Sequence, residues 1–182
     1  YKDHGKSYEA VYEREHPEGF RWLHESFGTN WRMTEMQAAI GRIQLKRMPD
    51  WHSKRLSNAN NIWNAAKQCK GLRVPSILKH IEHAVYKCYV FVRLDKLDKD
   101  WCRDRIIREI NALGVPCYSG SCSEVYLEKA FDNTGFRPKE RLPNAKELGE
   151  SSLTFLVHPT LTEDEIKQTC DAITSTMELA TK

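Results

Sequence analysis

Hydrophobic and polar positions divide the chain into an aperiodic start and a long patterned remainder. Residues 1–27 (YKDHGKSYEAVYEREHPEGFRWLHESF) mix aromatic and charged side chains with Gly5, Pro17 and Gly19 and sustain no helix or strand period. They read as an irregular segment needing support from elsewhere. From Thr34 a helical stripe begins, with Met36, Ile40 and Ile43 in line, Ala39 beside them, Thr34 as N-cap and Gln37 three residues on. This helix is expected to end near Met48 and Pro49. Asp50 can cap a second, longer helix whose apolar face is Leu56, Ala59, Ile62, Trp63 and Ala66 before Gly71 stops it.

Beyond it LRVPS and HAVYKCYVFVRL follow, and β-branched and aromatic content makes residues 84–94 the strongest strand prediction in the chain. WCRDRIIREINALG places Cys102, Ile106, Ile110 and Leu113 on one helical stripe ended by Gly114. VPCYSG predicts a short strand, residues 142–150 a short helix, and SSLTFLVH a strand long enough to be central. Thr162 followed by Glu165 is a capping box for a last helix reaching about Leu179, with Ile166, Cys170, Ile173 and Met177 buried. The order β, β, α, β, α, β, α predicts an α+β layer, with helices on one face of a small mixed or antiparallel sheet. No internal repeat or low-complexity segment interrupts it.

A chain of 182 residues can hold one substantial domain plus an appendage. Its 28 Lys+Arg against 25 Asp+Glu leave +3, with both signs interspersed, which argues against a dedicated nucleic-acid surface. Apolar runs such as Val90-Phe91-Val92 fall far short of the roughly 20 residues of a membrane span, so a soluble protein is expected. The six cysteines form no CxxC pair and suggest neither a zinc site nor a disulfide framework, which fits a reducing, cytoplasmic setting. The chain opens on Tyr1 without a secretory pattern, and it is expected to start inside a longer protein.

Read residue by residue, the chemistry is sparse. The seven histidines include no HExxH, and neither GxSxG nor GxGxxG occurs. No metal site is predicted. Cys117 and Cys122 read as ordinary packing residues of a loop-like stretch. One stretch differs: in GTNWRMTE, a glycine before Asn30 and a helix start just after it bring a short amide side chain and free backbone N–H groups together, with Arg32 adding charge. That combination suits an anionic group such as phosphate. Two readings stay open, this one and a plain one in which Asn30 caps a turn and Arg32 pairs with Glu35 or Asp3.

The same string, GTNWRMTEMQAAIGRIQLKRMPDWHSKR, resembles the signature of the DegT/DnrJ/StrS sugar-nucleotide aminotransferases, G-x-N-x-R-M-S/T-E-x-Q-A-A-I/L-G followed by Q-L and R-x-x-N-A. Gly28, Asn30, Arg32, Met33, Thr34, Glu35, Gln37, Ala38, Ala39, Gly41, Gln44, Leu45, Arg55, Asn58 and Ala59 match in one register. Asp3, His4 and Gly5 are similar to the family's R/D-N/D-H-G, and LPNAKELGESSLTFLVHPTLTEDEI is similar to its last conserved stretch. The likeness weakens only between about 71 and 140.

The resemblance implies the small C-terminal domain of an aspartate-aminotransferase-like (fold type I) pyridoxal-phosphate enzyme, preceded by the end of the large domain. Residues 1–48 would be the end of the large cofactor-binding domain, with its interface loop and helix, and 49–182 the small α+β domain, with 49–70 as connecting helix. It implies a homodimer in which Asn30 bonds the phosphate of the pyridoxal phosphate held by the partner subunit, Arg32 supports that loop or lies near the substrate, and His158 stands near the sugar nucleotide or merely shapes the chain before Pro159. The Schiff-base lysine lies upstream of the DHG segment in the family, so no catalytic residue is assigned here, and neither Lys2 nor Lys6 matches it. Where many members carry His-Tyr-Pro near the sugar pocket, this chain reads CYSGSCSEVYLEKAF, which puts the sugar in doubt.

The implied activity is transfer of an amino group from an amino acid, glutamate being the expected donor, to a nucleotide-linked keto sugar for polysaccharide or secondary-metabolite synthesis. The portion present is expected to be inactive alone. A dehydratase of the same family, or a stand-alone α+β binding module without catalysis, are the alternatives.

Overall fold

The computed structural model describes residues 5–16, 23–29 and 31–181. They fall in two compact units, Tyr1–Arg47 and Met48–Lys182.

In the first unit, α1 (Tyr8–Tyr12) is short because only Ser7 organises its start: the Ser7 hydroxyl accepts the Ala10 N–H at 3.0 Å. The segment is less irregular than its pattern suggested. Lys6 and His24 form an antiparallel bridge, and the carbonyl of Gly5 accepts the N–H groups of Glu25 (2.8 Å) and Ser26 (3.2 Å). Arg14 pairs with Glu25, whose carboxyl is held below its usual range by Ser7 and by Arg14.

The helix α2 spans Glu35–Gln68 without a break, which corrects the two helices expected on either side of Pro49. Its start is as predicted, with Gln37 N–H donating to the Thr34 hydroxyl at 3.3 Å and Thr34 N–H to the Gln37 side chain at 2.9 Å. Pro49 removes only the bond to the carbonyl of Leu45. Residues 41–50 are all exposed, so water can take that carbonyl and the helix continues.

The second unit is built on four antiparallel strands, β1 (Leu72–Arg73), β2 (Cys88–Val92), β3 (Cys117–Tyr118) and β4 (Ser152–Phe155), in the order β1-β2-β4-β3. The sheet is thus antiparallel, not mixed. All four residues of β4 are buried, as a strand covered on both faces requires. Register places Phe155 beside Cys88 on one side and Cys117 on the other. These side chains face a core completed by Ile62 of α2, Ile106 and Ile110 of α3 (Arg103–Ala112), and Ile173 and Met177 of α5 (Glu163–Ala180). The capping box of α5 is present, Thr162 accepting from Glu165 N–H at 3.2 Å and Glu165 from Thr162 N–H at 2.7 Å.

Three details depart from the pattern. The strand predicted at 84–94 begins only at Cys88, because Val85 takes φ +47, outside extended backbone, with its N–H on His83 Nδ1 at 2.9 Å. Cys102 and Leu113 cap α3 and are exposed, leaving Ile106 and Ile110 as its buried stripe. Finally, α4 (Pro143–Ser151) engages the opposite, polar face of the sheet, so the helices are not all on one face. Its Glu147 meets Arg73, which lies over the Phe91 ring at 4.4 Å. The helix carries few large apolar residues and packs by ion pair and small side chains.

All six cysteines are free; burial pushes the thiols of Cys88 and Cys117 up to about 12, consistent with core packing. Among the described residues, no group of three or more His, Cys, Asp or Glu could hold a metal ion, and no helix is long and apolar enough to cross a membrane.

Candidate functional site

In the first unit the bridge between Lys6 and His24 brings the 5–7 segment against 24–29 and leaves an open cleft of about 880 Å³. Gly5 makes that approach possible. It sits at φ +73, and a Cβ there would lie 1.9 Å from the carbonyl oxygen of Ser26. Lys6, His24, Gly28, Thr29 and Arg32 line the cleft. An ammonium, a guanidinium and a hydroxyl share this concavity with the Glu25 carboxylate, which Arg14 neutralises, and in chemical type the three donors fit the phosphate end of a cofactor. Asn30, the residue that the sequence singles out, lies outside the described residues, while Arg32 lines the cleft as an exposed residue.

His158 belongs to the second unit and is exposed. Its Nδ1 lies 2.7 Å from the Thr160 hydroxyl, and its carbonyl accepts the Leu161 N–H at 3.1 Å. A turn into α5 is thereby fixed. That carbonyl also accepts from Asn58 Nδ2 at 3.3 Å, so the buried Asn58 of the R-x-x-N-A stretch ties α2 to the turn carrying His158. The motif asparagine therefore has a structural reason, and the imidazole Nε2 has no hydrogen-bond partner among the described residues.

A second cleft, about 540 Å³, was not foreseen. The 119–124 loop, Arg103, Arg141 and Gly149 line it. Its wall is stapled by Glu124, a buried carboxylate that accepts the Tyr126 hydroxyl at 2.7 Å and Arg141 Nε at 2.8 Å, with Arg141 Nη2 on the other oxygen. Arg137 adds a further staple, donating to the carbonyls of Tyr126, Leu127 and Glu128. Residues so far apart give no local signal, and only the aromatic at 126 between charges hints at a packed loop.

The Arg141 guanidinium, then the Tyr126 hydroxyl, hold the Glu124 carboxyl at about 2, down from its ordinary 4.5. A depressed carboxyl contributes stability above its unfolded value and loses it as pH falls through the folded one. The urea midpoint of the wild type is therefore expected to fall more steeply than that of Glu124→Gln between about pH 4.5 and 2. Parallel curves would show that the staple does not hold the loop.

Comparison with known proteins completes the picture. The sequence model of the DegT/DnrJ/EryC1/StrS aminotransferase family matches residues 3–174. A solved aminotransferase from Psychrobacter cryohalolentis is 66% identical with a TM-score of 0.84, covering 99% of this chain and 48% of its own. The dTDP-3-amino-3,4,6-trideoxy-alpha-D-glucose transaminase of Streptomyces venezuelae is 25% identical over 84% of this chain and 38% of its own. The spore coat polysaccharide biosynthesis protein SpsC of Bacillus subtilis is 27% identical over 93% of this chain and 43% of its own. The chain thus spans less than half the length of each of these relatives.

Proposed function

This chain belongs to the DegT/DnrJ/EryC1/StrS aminotransferase family, and from that membership we propose that it is the C-terminal portion of an enzyme moving an amino group from an amino acid, glutamate being the expected donor, to a nucleotide-linked keto sugar. The observation carrying this reading is the family match over residues 3–174, which takes in both the GTNWRMTE loop and the turn at His158. The domain division follows from the same reading: 1–48 is the end of the large domain and 49–182 the small one, in an aspartate-aminotransferase-like subunit that works as a homodimer.

Pyridoxal phosphate, when bound, supplies the electron sink that lets an amino group change carriers. The part of this chain is to bind and orient. Asn30 would hold the phosphate of the cofactor in the partner subunit through its side-chain amide, and Arg32 would support the loop that carries it. The cleft's donors, Lys6, Thr29 and Arg32, support an anion at this place. His158, braced through Nδ1 by Thr160 and through its carbonyl by Asn58, offers the sugar nucleotide its remaining ring nitrogen. The lysine that the chemistry requires is assigned to no lysine of this chain, so the portion alone is expected to be inactive.

Asn30→Ala in the full-length dimer is expected to weaken pyridoxal phosphate affinity by roughly tenfold or more, the effect of losing a hydrogen bond to a charged group. Cofactor retention on dialysis measures it. Unchanged affinity would remove Asn30 from the phosphate site.

A further inference from the structure

Lys87, just before β2, and Tyr89 and Phe91 within it alternate onto the polar face of the sheet, where the 119–124 loop crosses. Gly120, at φ +86, lies so close to this face that a Cβ would stand 2.7 Å from the Tyr89 ring and 3.0 Å from the Thr154 hydroxyl. The Ser152 hydroxyl donates to the Ser119 carbonyl at 2.7 Å, and the Ser121 N–H donates to the Tyr89 hydroxyl at 3.1 Å. The loop is therefore held from below, and Ser121 is placed over Tyr89 and Lys87.

The hydrogen bonds leave donors over. The Tyr89 and Ser121 oxygens are 3.0 Å apart, and one hydroxyl proton serves that bond whichever group donates. Lys87 Nζ donates to Ser121 Oγ at 3.4 Å and keeps two further protons. The other hydroxyl proton is also unspent. Beneath them Thr154 is 4% exposed, and its hydroxyl has no partner among the described residues. Unspent donors thus gather here, around one ammonium and at the edge of the 540 Å³ cleft that Ser121 lines. Of the cleft's three carboxylates, Glu124 and Glu150 are paired with Arg141, and Glu128 is exposed at its lining.

We propose that Lys87, Tyr89 and Ser121 form an oxyanion-binding site, taking a phosphoryl or carboxylate oxygen on the polar face of the sheet. The surroundings already favour negative charge: the Ser121 hydroxyl, with its backbone N–H and Lys87, outweighs burial and lowers the phenol's pKa below its usual value. A bound anion competes with the phenolate for the same donors, so binding raises that titration midpoint, and raising pH weakens binding.

The site stands on these residues alone and not on the transaminase reading. Nuclear magnetic resonance titration of the 182-residue chain with inorganic phosphate, and separately with uridine diphosphate, tests it without any turnover. Saturable shifts of the Ser121 amide, a raised Tyr89 midpoint, and roughly tenfold weaker binding in Lys87→Gln are the expected results. Equal affinity for the two anions identifies phosphate itself as sufficient, and tighter binding of the diphosphate identifies a nucleotide-borne one. Absence of a saturable shift with either, or unchanged affinity in both Lys87→Gln and Tyr89→Phe, would overturn the site.

Discussion

Phe155→Ala is expected to cost the second unit about 3–5 kcal/mol, the range for deleting a buried aromatic ring from a packed core. Phe155 is fully buried on the strand that both β2 and β3 pair with, and it lies between Cys88 and Cys117 in the register. Its ring faces the same core as Ile62, Ile106, Ile173 and Met177, so truncation opens a cavity that backbone on either side cannot easily close. A domain has only about 5–15 kcal/mol to lose. Urea unfolding followed by circular dichroism reads the change, and Phe136→Ala, at an exposed loop position, serves as a near-neutral control. A loss under about 1 kcal/mol at Phe155 would contradict the core described here.

Gly5→Ala should disrupt the first unit by about 3 kcal/mol or more, since two penalties coincide. The residue holds φ +73, and its new Cβ would fall 1.9 Å from the Ser26 carbonyl oxygen. Backbone cannot swing away as a flexible side chain would, because the Gly5 carbonyl is bonded to Glu25 and Ser26. The cleft lined by Lys6, Thr29 and Arg32 depends on that approach. Hydrogen exchange at the Glu25 and Ser26 amides is expected to accelerate in the variant while the amides of β4 stay protected. Unaltered exchange at Glu25 and Ser26 would show that the approach is not what holds the segment.

Where each local rule acted alone, the sequence was a sufficient guide. Thr162 with Glu165 announced α5, and SSLTFLVH announced a central strand, which the sheet order bears out over Ser152–Phe155. It failed where one element overrode a local preference. Pro49 stays helical because the surrounding turns are exposed, and Val85 leaves extended backbone although its side chain type favours strands. Cys102 and Leu113 fit the spacing of a buried stripe, yet they lie at the helix ends, where capping decides their exposure. The side of the sheet taken by α4 was illegible because it depends on Arg73 and Glu147, far apart in sequence. The candidate sites divide in the same way. The GTNWRMTE stretch is a contiguous motif and can be read, whereas Glu124 with Arg141, and Lys87 and Tyr89 with Ser121, meet only through the fold.

Product analysis of the full-length parent, supplied with glutamate and a nucleotide-linked keto sugar, tests transamination most directly. The expected products are 2-oxoglutarate and the nucleotide-linked amino sugar in equal amounts. Consumption of the sugar nucleotide with no 2-oxoglutarate released, the outcome for a dehydratase, would contradict it.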